Sequence, residues 1–131
     1  MKTVLSLLLL VVTVFSLPSW SFAQDRDGNK LLADCEASIA IIDDRAQSLG
    51  TAKLHGSGRC LGFLQGLKRA SDYYEFTKRG GLFCAPDSVT YGQQIRIVVK
   101  YLQNHPERLH EDEFILAATA LRAAFPCPNK K

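Results

Sequence analysis

The sequence predicts an all-α fold, a small domain of four helices or slightly more, cross-linked by two disulfides. Three observations predict it. Apolar residues recur at steps of three and four in four separate stretches, the spacing of one helix face. No stretch reads convincingly as a strand. Four cysteines, Cys35, Cys60, Cys84 and Cys127, follow an opening that reads as a secretory leader, and an even count after a leader favours disulfides over free thiols.

The chain opens MKTVLSLLLLVVTVFSLPSWSFAQ. Lys2 supplies the charged start, Val4 to Leu17 an apolar run, Pro18 a break, and Ser21-Phe22-Ala23 a small-x-small cleavage site. Residues 1–23 are therefore expected to be a signal peptide and residues 24–131 one mature helical domain. The apolar run is fourteen residues, against the roughly 20 of a spanning helix, so no membrane association is expected after cleavage. Lys and Arg total 16 against 13 Asp and Glu. Losing Lys2 brings the mature chain nearer balance, and no basic block recurs along one face, so nucleic acid is not an expected partner.

The first helix takes Leu32, Cys35, Ile39 and Ile42 as its stripe, Asn29 as its N-cap, and fades near Ser48-Leu49-Gly50. GTAKLHGSG, with three glycines in nine residues, then reads as a loop. From Arg59 to Phe76 helical spacing resumes through Cys60, Phe63, Leu64, Leu67, Ala70 and Tyr74. Gly62 and Gly66 lie four apart in it, a spacing that suits close packing on a neighbouring helix or on a second subunit. Lys78-Arg79-Gly80-Gly81 ends it, with basic residues near the C-terminus and glycine beyond.

Thr90 and Gln93 form a capping-box pattern for a third helix, whose stripe is Ile95, Val98, Val99 and Leu102. Asn104-His105-Pro106 stops it, since a residue before proline leaves the α region. The fourth helix is expected to be capped by His110, stapled by Leu109 and Phe114, and buried along Ile115, Ala118, Leu121, Ala124 and Phe125. An antiparallel pair of helices three and four places Cys84 and Cys127 at one end, which makes them disulfide partners and leaves Cys35 with Cys60. Cys35 and Cys60 both fall near helix starts, so the glycine-rich loop would have to carry the chain back, and one of the bonds could instead link subunits.

Catalytic signals are lacking. A nucleophilic cysteine needs a free thiolate and a nearby base, and these four read as half-cystines. His105 and His110 are five apart rather than the four of a helical metal pair, and Glu111, Asp112 and Glu113 suit a helix N-terminus. Asp43-Asp44 reads as a solvated helix end. No catalytic residue, no metal and no cofactor is expected. The aromatics Phe63, Tyr73, Tyr74, Phe76, Phe83, Phe114 and Phe125 read mostly as core, while Tyr73 and Tyr91 fall off the stripes as surface anchors.

Several segments follow one another in a familiar order: Cys60-Leu61-Gly62-Phe63-Leu64-Gln65-Gly66-Leu67, Phe83-Cys84-Ala85-Pro86, Val89 to Gln93, Val98 to Leu102, His105-Pro106-Glu107 and Ala124-Phe125-Pro126-Cys127. The set resembles the Rap/Tai family of type VI secretion amidase immunity proteins over about two thirds of the mature chain. The resemblance implies a periplasmic helical protein, commonly a homodimer and not an enzyme. Such a protein inserts a loop into the active-site cleft of a peptidoglycan amidase effector and blocks its catalytic cysteine. The residues alone also admit a general envelope helical binding protein with another partner. Contact residues are not part of the shared segments. The physical candidates are the connections 77–82 and 105–110 with adjacent aromatics: Tyr73, Phe76, Lys78, Arg79, His105, Glu107 and Arg108.

Overall fold

A computed structural model describes residues 26–43, 50–77 and 79–128. The expected signal peptide, residues 1–23, lies outside them. Among the described residues there are four α-helices and no strand: α1, Gly28–Ile42; α2, Thr51–Phe76; α3, Tyr91–Asn104; and α4, Glu113–Ala124. A 3-10 turn, Pro106–Arg108, precedes α4. The all-α, four-helix expectation holds.

Helices α1 and α4 start side by side. Gly28 N–H donates to Glu111 O at 3.0 Å, and Glu113 N–H donates to Arg26 O at 2.9 Å. Each start is capped by an aspartate rather than by the residue expected. Asp27 accepts from Lys30 N–H at 2.9 Å, while Asn29 reaches across to Leu109 O at 3.0 Å. Asp112, not His110, accepts from the amides of Phe114 and Ile115, because its carboxylate lies beside the unpaired first-turn N–H groups. The capping box of Thr90 and Gln93 on α3 is formed.

The core lies where α1 packs on α2 and α3, with α4 closing against α3. Leu31, Leu64, Ile95, Val98, Leu102, Leu116 and Leu121 are all within 1% of complete burial. Both disulfides form within the chain, Cys35–Cys60 with Cα atoms 5.2 Å apart and Cys84–Cys127 at 4.8 Å.

Several expectations fail, each for a local reason. Helix α2 starts at Thr51, so GTAKLHGSG is not a loop. Glycine costs about 1 kcal/mol in a helix, and here tertiary contact offsets it: a Cβ on Gly56 would lie 2.4 Å from Asp34 Oδ1. Cys35 and Cys60 therefore lie mid-helix at one level, with Ser38 Oγ donating to Ser57 O at 3.1 Å nearby. No loop needs to carry the chain back. Described α1 ends at Ile42 with Asp43 as C-cap; residues 44–49, including Asp44, are outside the described residues. Asp43 is ion-paired with Arg96 rather than merely solvated.

The buried stripe of α4 is Glu113, Leu116, Ala117, Ala120 and Leu121, which turns Ile115, 51% exposed, outward. On α1 Leu31 is the fully buried leucine, Leu32 and Ile39 of the expected stripe are partly buried against the core, and Ile42 is half exposed. The expected staple gives way, with Leu109 packed on the core and Phe114 exposed. Of the aromatics read as mostly core, Phe83 is fully buried, Phe63 and Phe125 are partly buried against the core, and Tyr74, Phe76 and Phe114 are exposed; Tyr73, read as a surface anchor, is exposed as expected. A Cβ on Gly62 or Gly66 would meet nothing within 4 Å, so none of the described helices packs on that pair.

Candidate partner-binding surface

Helix α2 is supported only through its middle. Buried residues run from Gly56 to Ser71, while Thr51 to His55 and Asp72 to Phe76 are exposed throughout. Anchors just past the helix keep its bare end in place. Ser71 is wholly buried, and its Oγ donates to Phe83 O at 2.6 Å and accepts from Phe83 N–H at 3.0 Å. Cys84 N–H donates to Phe125 O at 2.9 Å, and the Cys84–Cys127 disulfide closes the same junction. Between these anchors the chain turns through Gly80, whose φ of +83° suits glycine.

The helix end so held carries Tyr73, Tyr74 and Phe76, at 64%, 39% and 84% exposure. Tyr73 and Tyr74 meet edge to face, centroids 6.3 Å apart. Arg79 is exposed just beyond, its amide donating to Tyr74 O at 3.0 Å. Lys78 lies outside the described residues. Aromatic rings standing on a fixed helix end are the composition of an interface anchor.

The second group, His105, Glu107 and Arg108, is arranged differently. His105 stacks on Tyr101 with centroids 4.2 Å apart, and its Nδ1 is 2.8 Å from Tyr101 O. Arg108 donates twice to Glu111, at 2.7 and 2.6 Å, and once to the Tyr101 hydroxyl. The hydrogen bond from Arg108 holds the Glu111 carboxyl below the usual carboxylate range, and the same bond pushes the Arg108 guanidinium up. Both side chains are thus committed within the turn, and Glu107 is exposed.

The two groups do not form one site. Glu113 at the start of α4 pairs with Arg59, whereas Cys127 beyond its end lies against Gly81, with Sγ 3.5 Å from Gly81 O. The twelve residues of α4 separate these levels, a length of about 18 Å.

Between the ends sits a charged cluster that sequence reading missed. Arg59 bridges Asp34 of α1 and Glu113 of α4, at 2.7 Å to the latter, and Lys30 adds a 2.6 Å contact to Asp34. Burial pushes the Asp34 carboxyl up, but hydrogen bonds from Lys30 and Arg59 more than reverse this and hold it below its ordinary value. Burial likewise lowers the Arg59 guanidinium, and Glu113 and Asp34 raise it further than burial lowers it. A signal existed: Asp34 precedes Cys35 and Arg59 precedes Cys60, so closing that disulfide brings opposite charges together. These carboxylates, each bound by a cation, are structural bridges rather than free bases. All four cysteines are in disulfides. Among the described residues no group of three or more His, Cys, Asp or Glu side chains is placed to hold a metal ion, and no helix is long and apolar enough to cross a membrane.

A family model described as Rap1a immunity proteins matches residues 27–127. The matched stretch begins at the N-cap of α1 and ends at Cys127, so it takes in all four helices and both disulfides. No curated protein and no solved structure matches the chain.

Proposed function

This chain belongs to the Rap1a immunity protein family, and from that premise we propose that it binds and inhibits a peptidoglycan amidase effector of a type VI secretion system in the periplasm. Membership implies a protein effector as partner, and the family is typically non-enzymatic. The observation that carries the reading is the extent of the match, from the first cap to the last cysteine. The amidase as target is what the resemblance of the ordered segments between Cys60 and Cys127 to the Rap/Tai family implies. An oxidising compartment agrees with two intramolecular disulfides and with the leader read at residues 1–23. A homodimer is part of the proposal: Gly58, Gly62 and Gly66 leave the outward face of α2 open to a second copy. The end of α2, with Tyr73 and Phe76, is the proposed effector anchor.

Co-expression tests this. A peptidoglycan amidase effector from the same strain is directed to the periplasm with the immunity protein present, absent, or lacking residues 1–23. Protection by the full chain, lost without the leader, is expected. An effector that stays equally toxic in all three cases overturns the reading.

A further inference from the structure

The turn that follows α2 is held from two sides. A Cβ on Gly81 would lie 3.2 Å from Ser71 Oγ and 3.3 Å from Cys127 Sγ, so the backbone there runs between the helix and the disulfide. Cys127 Sγ is 3.5 Å from Gly81 O, and Cys84 Sγ is 3.8 Å from Glu75 Oε2 in the last turn of α2. The start of the turn satisfies the last carbonyls of the helix. Tyr73 O accepts from the Thr77 amide at 3.0 Å and from the Thr77 hydroxyl at 3.0 Å. Tyr74 O accepts from that hydroxyl at 3.2 Å and from the Arg79 amide at 3.0 Å. A helix end that loses such partners frays. A chain of contacts thus runs from the Cys84–Cys127 bond through Gly81 and Arg79 to the residues that carry the exposed rings.

The two disulfides differ in what depends on them. Cys35 and Cys60 are wholly buried in the core and tie α1 to α2. Cys84 and Cys127 are partly exposed and lie outside the helices, before α3 and after α4. A reagent reaches them without opening the core, and accessible disulfides are the ones that exchange. With that bond open, Phe83 stays buried on its two hydrogen bonds to Ser71, and Cys84 N–H keeps Phe125 O. What is lost is the outer side of the clamp on Gly81, beside Gly80, whose backbone is the freest joint of the turn. Asp72 to Phe76 are exposed, so the core does not hold them in the turn's place.

We propose that the Cys84–Cys127 bond is a redox latch on the binding surface. Closed, it orders the end of α2 so that Tyr73 and Phe76 meet a partner. Open, it leaves a folded chain whose anchor frays and whose hold on the partner weakens. Opening takes a dithiol: its thiolate attacks one sulfur, a mixed disulfide forms, and its second thiol displaces the remaining cysteine. The reductant ends as a disulfide, and Cys84 and Cys127 end as thiols, having gained two electrons and two protons. A disulfide oxidant closes the latch by the reverse exchange. That the partner is the effector rests on the immunity reading above.

The test compares three forms of the mature chain. One is fully oxidised, one is opened at Cys84–Cys127 by brief dithiothreitol treatment under native conditions, and one carries Cys84→Ser with Cys127→Ser. Titration of the treated chain is expected to find two thiols, and four appearing together overturn the proposal. Hydrogen–deuterium exchange read by mass spectrometry then compares residues 72–83 with α3. Exchange of 72–83 faster by about tenfold in both open forms, with α3 unchanged, is expected. Equal exchange in all three forms overturns the latch. So does an equal rise in α3, which would make the bond a brace of the whole fold. If the double variant does not fold, the treated chain decides alone, its closed pattern expected to return with oxidised glutathione. Calorimetry with a peptidoglycan amidase effector from the same strain reads recognition. Binding about tenfold weaker in the open forms supports the latch. Equal affinity beside faster exchange overturns it and leaves the immunity reading standing. An oxidised chain that binds no effector overturns the immunity reading, and exchange then decides the latch alone.

Discussion

Replacing Arg59 by methionine keeps an apolar stem of similar length but leaves Glu113 without its cation and Asp34 with Lys30 alone. The side chains of Asp34 and Glu113 are each 6% exposed, and Arg59 is the residue that joins them. Removing one partner of a buried pair costs about 3–5 kcal/mol, because the remaining charge is left without compensation. Three features hold the cost to the lower end. Lys30 stays on Asp34 at 2.6 Å; Arg59 itself is 27% exposed, so water reaches the cluster; and its buried Nη2, which has no partner, is removed with it. The expected loss is about 3 kcal/mol, a fall in Tm of about 12–24 °C for a domain of this size. Urea unfolding at neutral pH, with disulfides intact and helix content followed by circular dichroism, measures it directly. The triple change Arg59→Met, Asp34→Asn, Glu113→Gln removes the stranded charges and is expected to return to within about 1 kcal/mol of wild type. A single variant losing under about 1 kcal/mol, or a triple variant no better than the single, would show that charge pairing does not hold α1, α2 and α4 together.

Three further outcomes rest on the same geometry. Asp34 is held below its ordinary value of 3.8, so its contribution is present above that value and lost as pH falls through the folded one; Asp34→Asn should flatten the acid limb of the stability profile below about pH 4, and parallel limbs would contradict the assignment. Gly56→Ala puts a Cβ 2.4 Å from Asp34 Oδ1, whereas Gly62→Ala meets nothing within 4 Å. The first should destabilise by about 1–3 kcal/mol and the second stabilise the monomer by about 0.5–1 kcal/mol, so equal signs in thermal unfolding at a dilution where the chain is monomeric would refute the close approach. Cys35 and Cys60 are wholly buried while Cys84 and Cys127 are partly exposed. Mild reduction of the native protein followed by thiol trapping and mass mapping should therefore label the second pair first, and simultaneous labelling would count against that order.

Legibility in the sequence followed how local the cause was. The capping box of Thr90 and Gln93, the stop before Pro106 and the end at Gly80 are set by neighbours within a few residues, and these were readable. The start of α2 was not. Its glycines speak for a loop until Asp34, from another helix, is seen to occupy the space beside Gly56. Glu113 looked like an ordinary first-turn acid, and only the approach of Arg59 buries it, which rotates the apolar face of α4 by one position. On the surface, Tyr73 was legible as an anchor because it lies off the stripe, while Phe76 was read first as core.

Stability and recognition occupy different parts of α2, and the division follows from its length. Its 26 residues span about 39 Å, well beyond the 15, 14 and 12 residues of its neighbours. Those neighbours can cover only the middle, where Gly56, Cys60, Leu64, Leu67 and Ser71 take the core contacts. The uncovered C-terminal turns would fray if left alone, as short unsupported helix ends do. Ser71 bound to Phe83 and the Cys84–Cys127 bond instead fix the chain just after them. Tyr73 and Phe76 are thus displayed on a backbone already ordered, so a partner that covers them meets less of the ordering cost that limits affinity. A helix longer than its bundle, pinned at the point where it leaves it, is what turns exposed aromatics from a liability into a surface fit for binding.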